Sequence, residues 1–330
     1  MSTPRLSADI EISVVVPVYG CASCLRPLYE RITASLDPLA VTYELVLVDD
    51  RALDGSWEAM SRLSSEDHRV RLLRFSRNFG QHAAITAGLE YSRGRWVVVM
   101  DCDLQDPPEV IPQFYATAMA GYDVVLGRRT GAQRSVFRQL ASRAYFGLLN
   151  RVAGTQMSAD YGNFSMISRP VVDAFLRFKD KERHYLMIVN WLGFDRAVVD
   201  FPHADRHSGK SAYTIGKLVR FALDGLFFQT TTLLRWIVYM GFTVALLGMA
   251  LAVFLVVNFF VGAPIEGWTS IGVLVLVTAG VIIMSTGVAG LYIGRIFIQV
   301  RDRPLYVLDC GPERKSVADD IGDPGERNEV

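Results

Sequence analysis

The sequence predicts an α/β fold with a doubly wound sheet, followed by a two-helix membrane hairpin. Three observations carry this. Short Val-rich apolar runs alternate with segments of helical period across the first 126 residues. Acidic residues stand directly after two of those runs, Asp49-Asp50 and Asp101/Asp103. Two later stretches, 236–261 and 269–294, contain no charged residue.

Taken in order, Ile12–Val18 is an apolar run closed by Pro17 and Gly20, which predicts a parallel strand buried on both faces. A helix is expected over about 25–35. Residues 43–48 predict a second strand and 56–64 a second helix. Val70–Phe75 predicts a third strand and Gln81–Tyr91 a third helix. Residues 96–100 predict a fourth strand. Pro107-Pro108 signals a helix start for 109–120, and 124–126 predicts a short fifth strand. Residues 144–194 give no clear period.

Residues 214–229 place Ile215, Leu218, Val219, Ala222, Leu223, Leu226 and Phe227 at helical spacing, with Lys217, Arg220 and Asp224 off the stripe. Directly before an apolar span, this predicts an amphipathic helix in the membrane interface. Each uncharged stretch is long enough to cross a bilayer. The break between them, 262–267, carries Pro264 and Glu266 but no Lys or Arg, whereas Arg220, Arg235, Arg295, Arg301 and Arg303 flank the outer ends. The positive-inside rule then puts both termini in the cytoplasm. The expected organisation is a cytosolic catalytic domain (1–213), an interface helix (214–232), a transmembrane hairpin (233–299) and a cytosolic segment (300–330) whose end is too polar to order.

Composition narrows function. Among 330 residues, 51% are hydrophobic and the formal net charge is zero, which argues against a nucleic-acid partner. The polar first eleven residues show no signal peptide. The lone C-x-x-C at Cys21 and Cys24 has no second half for a zinc site and reads as small residues in a strand-to-helix loop. A dinucleotide glycine fingerprint and a P-loop are both missing.

In doubly wound sheets ligands bind beyond the carboxyl ends of the strands, where Asp49, Asp50, Asp101 and Asp103 fall. Like charges gathered there repel unless a cation or ligand fills the gap. Asp101-Cys102-Asp103 can offer oxygen ligands to a hard divalent ion.

The longer segment from Met100 to Glu109, M-D-C-D-L-Q-D-P-P-E, resembles the signature of family 2, GT-A fold glycosyltransferases, and more narrowly the polyprenyl-phosphate glycosyltransferases. V-V-V-P-V-Y at 14–19, V-D-D-R-A-L-D-G-S at 48–56, R-N-F-G at 77–80, Gly127 to Arg129, D-Y-G-N-F at 160–164 and H-S-G-K-S-A-Y at 207–213 support the resemblance. It implies a nucleotide-sugar donor, a polyprenyl phosphate acceptor such as undecaprenyl phosphate, and Mg²⁺ or Mn²⁺. It implies inversion by direct displacement, a bacterial inner-membrane location and a homo-oligomer, with a tetramer as the form in anchored relatives.

On the same basis Pro17, Tyr19, Val48, Asp49 and Asp50 are expected to line the nucleotide pocket, with Asp101 and Cys102 close to it. Asp103, Gln105 and Asp101 form the metal and diphosphate site. Arg128 or Arg129, with Arg206 and Lys210, grips phosphate charge. Asp160 sits near the reacting centre, and Arg206, Ser208, Lys210 and Tyr213 meet the acceptor phosphate. Two departures stand out. Gly20-Cys21 replaces the usual Asn-Glu, and Arg51-Ala52-Leu53 is bulkier than the usual loop. A processive polysaccharide synthase would carry Q-x-x-R-W, but Gln229 and Arg235-Trp236 have the wrong spacing. A non-catalytic nucleotide-sugar-binding membrane protein would lack the metal carboxylates, which are present.

Overall fold

The computed structural model describes residues 10–130, 161–181, 183–202, 239–241, 243–244, 246–247, 250, 253–254, 257, 261 and 268–310. These fall into two compact units: 10–130, 161–202 and 304–310 form one, and 239–303 belong to the other.

The first unit is a sheet between two helical layers. Its strands are β1 (Ile12–Val18), β2 (Tyr43–Asp49), β3 (Val70–Phe75), β4 (Trp96–Val99), β5 (Val124–Thr130), β6 (Tyr161–Ser168), β7 (Arg196–Pro202) and β8 (Leu308–Cys310). Their order across the sheet is β7-β5-β6-β4-β1-β2-β3-β8. β6 runs antiparallel to β4 and β5, and β8 antiparallel to β3; all other pairings are parallel. The helices are α1 (Leu25–Leu36), α2 (Ser56–Glu66), α3 (Gln81–Tyr91), α4 (Ile111–Met119), α5 (Arg169–Leu176) and α6 (Tyr185–Leu192).

The period of two along the strands divides the core. Val14, Val16 and Val18 of β1 join Leu45, Leu47 and Val98 beneath α1, α2 and α4. Val15 joins Val46, Val48, Val97 and Val99 beneath α3, α5 and α6. All seven β1 residues are therefore buried, as expected of a central strand covered on both faces. α3 lies so close to β1 that a Cβ added at Gly88 would stand 2.1 Å from Val15 Cγ1. Gly88→Ala is expected to destabilise the unit by about 1–3 kcal/mol through overpacking. An unchanged unfolding midpoint in denaturant would rule out this close approach.

The predicted elements up to α4 appear, with small changes of boundary. β5 is longer than expected and carries Arg128 and Arg129 as strand residues. β6, α5, α6, β7 and β8 are additions to the sequence reading. The second unit contains α7 (Trp268–Val300). Its stretch Thr278–Val300 has a mean hydropathy of 1.8 and is long and apolar enough to cross a membrane. It runs beyond the predicted end at 294. In the first expected span, the described residues between 239 and 257 are helical. The predicted interface helix at 214–232 and the tail from 311 lie outside the described residues.

Candidate active site

Strand order locates the crevice. From β1 the chain winds outward through β2 and β3, then returns to place β4 on the other side of β1. The reversal point lies between the carboxyl ends of β1 and β4, where such sheets bind ligands. Because β6 is antiparallel, its amino end, Tyr161–Asn163, reaches the same edge as Asp101 and the end of β5.

The two ends of the strands treat buried carboxylates differently. At the amino end, Glu44 is buried and satisfied: Ser13 Oγ donates to it at 2.6 Å, Arg93 N at 2.6 Å and Arg71 Nη1 at 2.9 Å. At the carboxyl end, Asp106 Oδ2 and Arg129 Nε are buried without a hydrogen-bond partner. Buried polar groups are normally paired. Unmet capacity at the ligand-binding edge is what a polar ligand site leaves behind.

Asp101 follows β4. Gln81 Nε2, from the first turn of α3, donates to its Oδ1 at 2.6 Å, and the Asn163 side chain also bonds it. Burial, then the charges of Asp106 and Asp103, push the Asp101 carboxyl up to about 7, with Arg129 and Asn163 acting in the opposite direction. Asp103 turns on itself: Gln105 N donates to its Oδ1 at 3.2 Å, an Asx-type turn. Leu104 inside that turn has φ +63, uncommon for a branched residue and often found at functional sites.

Asp106 is wholly buried. Its Oδ1 accepts from Arg129 Nη2 at 2.8 Å, and the backbone N–H of Asp101 also donates to it. Burial pushes its carboxyl up, while Arg129 opposes the shift. Asp106 stands directly before the Pro107-Pro108 helix start, and its carboxylate holds Arg129. Gly162 makes room for that guanidinium, since a Cβ there would lie 2.9 Å from Arg129 Nη2. Arg129 faces Asp101, Asp103 and Asp106 together. Arg128, one residue earlier, points to the other side of the sheet, as alternation requires. It makes a two-pronged pair with Asp200 of β7, at 2.6 and 2.8 Å.

The other acidic pair also splits. Asp50 accepts from the backbone N–H groups of Phe79 (2.6 Å) and Gly80 (2.9 Å), fixing the R-N-F-G turn ahead of α3. Asp49 accepts from Ala52 N at 3.0 Å and faces Arg74 at 3.2 Å. Burial raises both carboxyls. Val48 and Pro17 are buried, Val48 in the core beneath α3, whereas Tyr19 is 60% exposed at the rim.

Cys102 is buried, and its thiol bonds the Cys21 thiol, which raises Cys102 and lowers Cys21. Cys21 directly precedes the short 3-10 turn Ala22–Cys24 that leads into α1, and neither Cys21 nor Cys24 forms a disulfide. His82 and His184 lie with ring centres 4.6 Å apart and planes 58° from parallel. Burial, then the charge of His184, lowers His82 to about 4. Asp160, Arg206, Ser208, Lys210 and Tyr213 lie outside the described residues. The sequence reading assigns no role to Gln81, Gly162 or Asn163. The last two stand in its D-Y-G-N-F segment, which is the signal that points to them.

Among the described residues, no three His, Cys, Asp or Glu side chains are arranged to hold a metal ion by themselves. A divalent ion of the magnesium type does not require this, because it uses one or two carboxylates plus substrate phosphates and water. Among the described residues, the three carboxylates Asp101, Asp103 and Asp106 face the one guanidinium of Arg129. That excess of negative charge and the oxygen donors of Asp103 and Gln105 fit such an ion.

In shape, the chain is similar to mannosyl-3-phosphoglycerate synthase from Rubrobacter xylanophilus, with TM-score 0.48, 15% identity and coverage of 69% of this chain and 74% of that one. In sequence, residues 13–176 match the family described as Glycosyl transferase family 2. A Bacillus subtilis protein named Uncharacterized glycosyltransferase YkcC is 33% identical over 305 residues, 92% of this chain and 94% of its own. Undecaprenyl-phosphate 4-deoxy-4-formamido-L-arabinose transferase of Edwardsiella ictaluri is 38% identical over 304 residues, 90% of this chain and 93% of its own. Identity at this level over nearly the whole length places the protein in glycosyl transferase family 2, as a glycosyltransferase of the GT-A fold.

Proposed function

We propose that the enzyme moves one sugar from a nucleoside-diphosphate donor, UDP-linked, to a polyprenyl phosphate at the cytoplasmic face of a bacterial inner membrane. The observation that carries this reading is the convergence of Asp101, Asp103, Asp106 and Arg129 at the β1/β4 crevice. The acceptor class comes from relatives named as undecaprenyl-phosphate sugar transferases, matched over 90% of this chain. α7 supplies a segment able to keep such an enzyme at the bilayer. The cytoplasmic termini rest on the arginines flanking the spans, and homo-oligomerisation, as a tetramer, on the anchored relatives.

The leaving group is a nucleoside diphosphate, on which negative charge grows as the glycosidic bond breaks. Asp103 and Gln105, with Asp101, would hold Mg²⁺ or Mn²⁺, which when bound acts as a Lewis acid on that charge. Gln81 and Asn163 keep Asp101 in place. Asp106 aims Arg129 at the same carboxylates, where a guanidinium adds fixed positive charge. Pro17, Tyr19, Val48, Asp49 and Asp50 border the base and ribose, with Asp50 organising the turn at 79–80. Arg206 and Lys210 add to phosphate binding; of the adjacent arginines, Arg129 is the one that faces these carboxylates, whereas Arg128 is paired with Asp200.

The acceptor is a phosphate monoester with a second pKa of about 6, so it is already largely ionised at neutral pH. It needs positive charge from Arg206 and Lys210, and hydrogen bonds from Ser208 and Tyr213, more than it needs a base. Asp160 then orients the acceptor or an arginine. Displacement inverts the anomeric carbon.

The test is incubation of the purified full chain with undecaprenyl phosphate, Mg²⁺ or Mn²⁺ and a panel of nucleotide sugars, followed by mass analysis of the lipid. One added sugar per lipid is expected with one donor of the panel. A polymer, or lipid unchanged with every donor, overturns the proposal.

A further inference from the structure

The loop after β2 is held by the other end of the chain. Residues 304–310 follow α7 in the sequence but belong to the sheet unit. β8 extends the sheet by antiparallel pairing, with Arg74 opposite Cys310 and Phe75 opposite Leu308. Ser76 N donates to Val307 O at 2.9 Å. Tyr306 stacks on Phe75 with ring centres 5.0 Å apart and planes 20° from parallel, and its hydroxyl donates to Glu90. These contacts fix the segment. From it, Asp309 accepts from Arg51 Nη1 at 2.6 Å.

Arg51 stands directly after Asp50 and has φ +59. A non-glycine residue in the left-handed region persists where its surroundings hold it there. The turn it makes brings Ala52 N–H back to Asp49 at 3.0 Å. Beyond it, Leu53 is 98% exposed, with no packing of its own to fix the loop. The tie to Asp309 is thus a tertiary restraint on the chain that carries Asp49 and Asp50.

We propose that Asp309 is a positioning residue for the donor site, acting through Arg51 to set the loop that borders the nucleotide. It touches no reacting atom. The proposal rests on the reading that residues 49–53 border the donor. It also gives the length of the Arg51 side chain a role. A long side chain is needed there to reach a segment that lies beyond the membrane helix in sequence.

The pair is partly exposed, with side chains at 37% and 50%, and such pairs contribute modestly. Asp309→Asn in the full-length enzyme is therefore expected to raise the donor KM about two- to fivefold. The kcat and the acceptor KM should stay unchanged, and a substitution that merely loosened the fold would not split them in this way. The exchange Arg51→Glu with Asp309→Arg should restore the donor KM.

A second measurement separates the proposal from the reading beneath it. Hydrogen exchange on the unsubstituted enzyme, with UDP, GDP or CDP and Mn²⁺, should slow the amides of 50–55. Protection there with an unchanged donor KM in Asp309→Asn overturns the positioning role alone. No protection with any of the three diphosphates overturns both the role and the nucleotide loop. Equal rises in donor and acceptor KM also contradict the proposal.

Discussion

Asp103→Ala is expected to lower kcat/KM by about 10³-fold while leaving the unfolding transition nearly in place. A Lewis acid on a departing diphosphate is worth several kcal/mol of transition-state stabilisation, and each 1.36 kcal/mol is a factor of about ten. The side chain is partly exposed and closes a turn onto Gln105 N, so its loss costs the fold little. Chelation of divalent ions by EDTA should reproduce the loss in the unsubstituted enzyme, with recovery on adding Mg²⁺ or Mn²⁺. Full activity in Asp103→Ala, or no response to EDTA, would show that Asp103 and a metal do not carry the reaction.

Arg129→Met is expected to have the largest effect on stability. It leaves Asp106, which has no exposed surface, as a buried carboxylate without its ion partner. Breaking a buried pair from one side typically costs about 3–5 kcal/mol. For a unit of this size each kcal/mol moves Tm by roughly 2–4 °C, so a fall of about 6–20 °C is expected. The double variant Arg129→Met with Asp106→Leu should regain much of that, because replacing both partners by apolar groups is often nearly neutral. It should not regain transfer activity, since Arg129 also faces Asp101 and Asp103. Calorimetry and turnover assays on the two variants separate the structural from the catalytic share. A double variant as unstable as the single one contradicts the pairing.

The difference between Arg128 and Arg129 shows where sequence reasoning stops. Side by side they look like one basic pair. On a strand they point to opposite sides, and their partners, Asp200 and Asp106, lie 72 and 23 residues away. No local pattern reports contacts of that span. β1, β2 and β4 are legible because parallel strands covered on both faces read as mainly apolar runs; β3 keeps Val70, Leu73 and Phe75 buried around the two arginines Arg71 and Arg74. β6 hides its core residues among Gly162, Asn163, Ser165 and Ser168. β7 is an edge strand with one face exposed, and β8 is too short to carry a period. The carboxylates at the strand ends are visible as a site because like charges there have no structural reason to gather. Their holders, Gln81, Asn163 and Gly162, are not, because their roles depend on which strands are neighbours.

On the proposed reading, the crevice between β1 and β4 receives the donor diphosphate on Asp103 through a divalent ion. The anomalous signal of manganese, in a structure of the full-length enzyme with Mn²⁺ and the nucleoside diphosphate of its working donor, tests this without an activity assay. A peak in direct contact with an Asp103 carboxylate oxygen is expected, with the diphosphate beside it. A manganese peak elsewhere in the protein, or a nucleotide bound away from the carboxyl ends of β1 and β4, would contradict it.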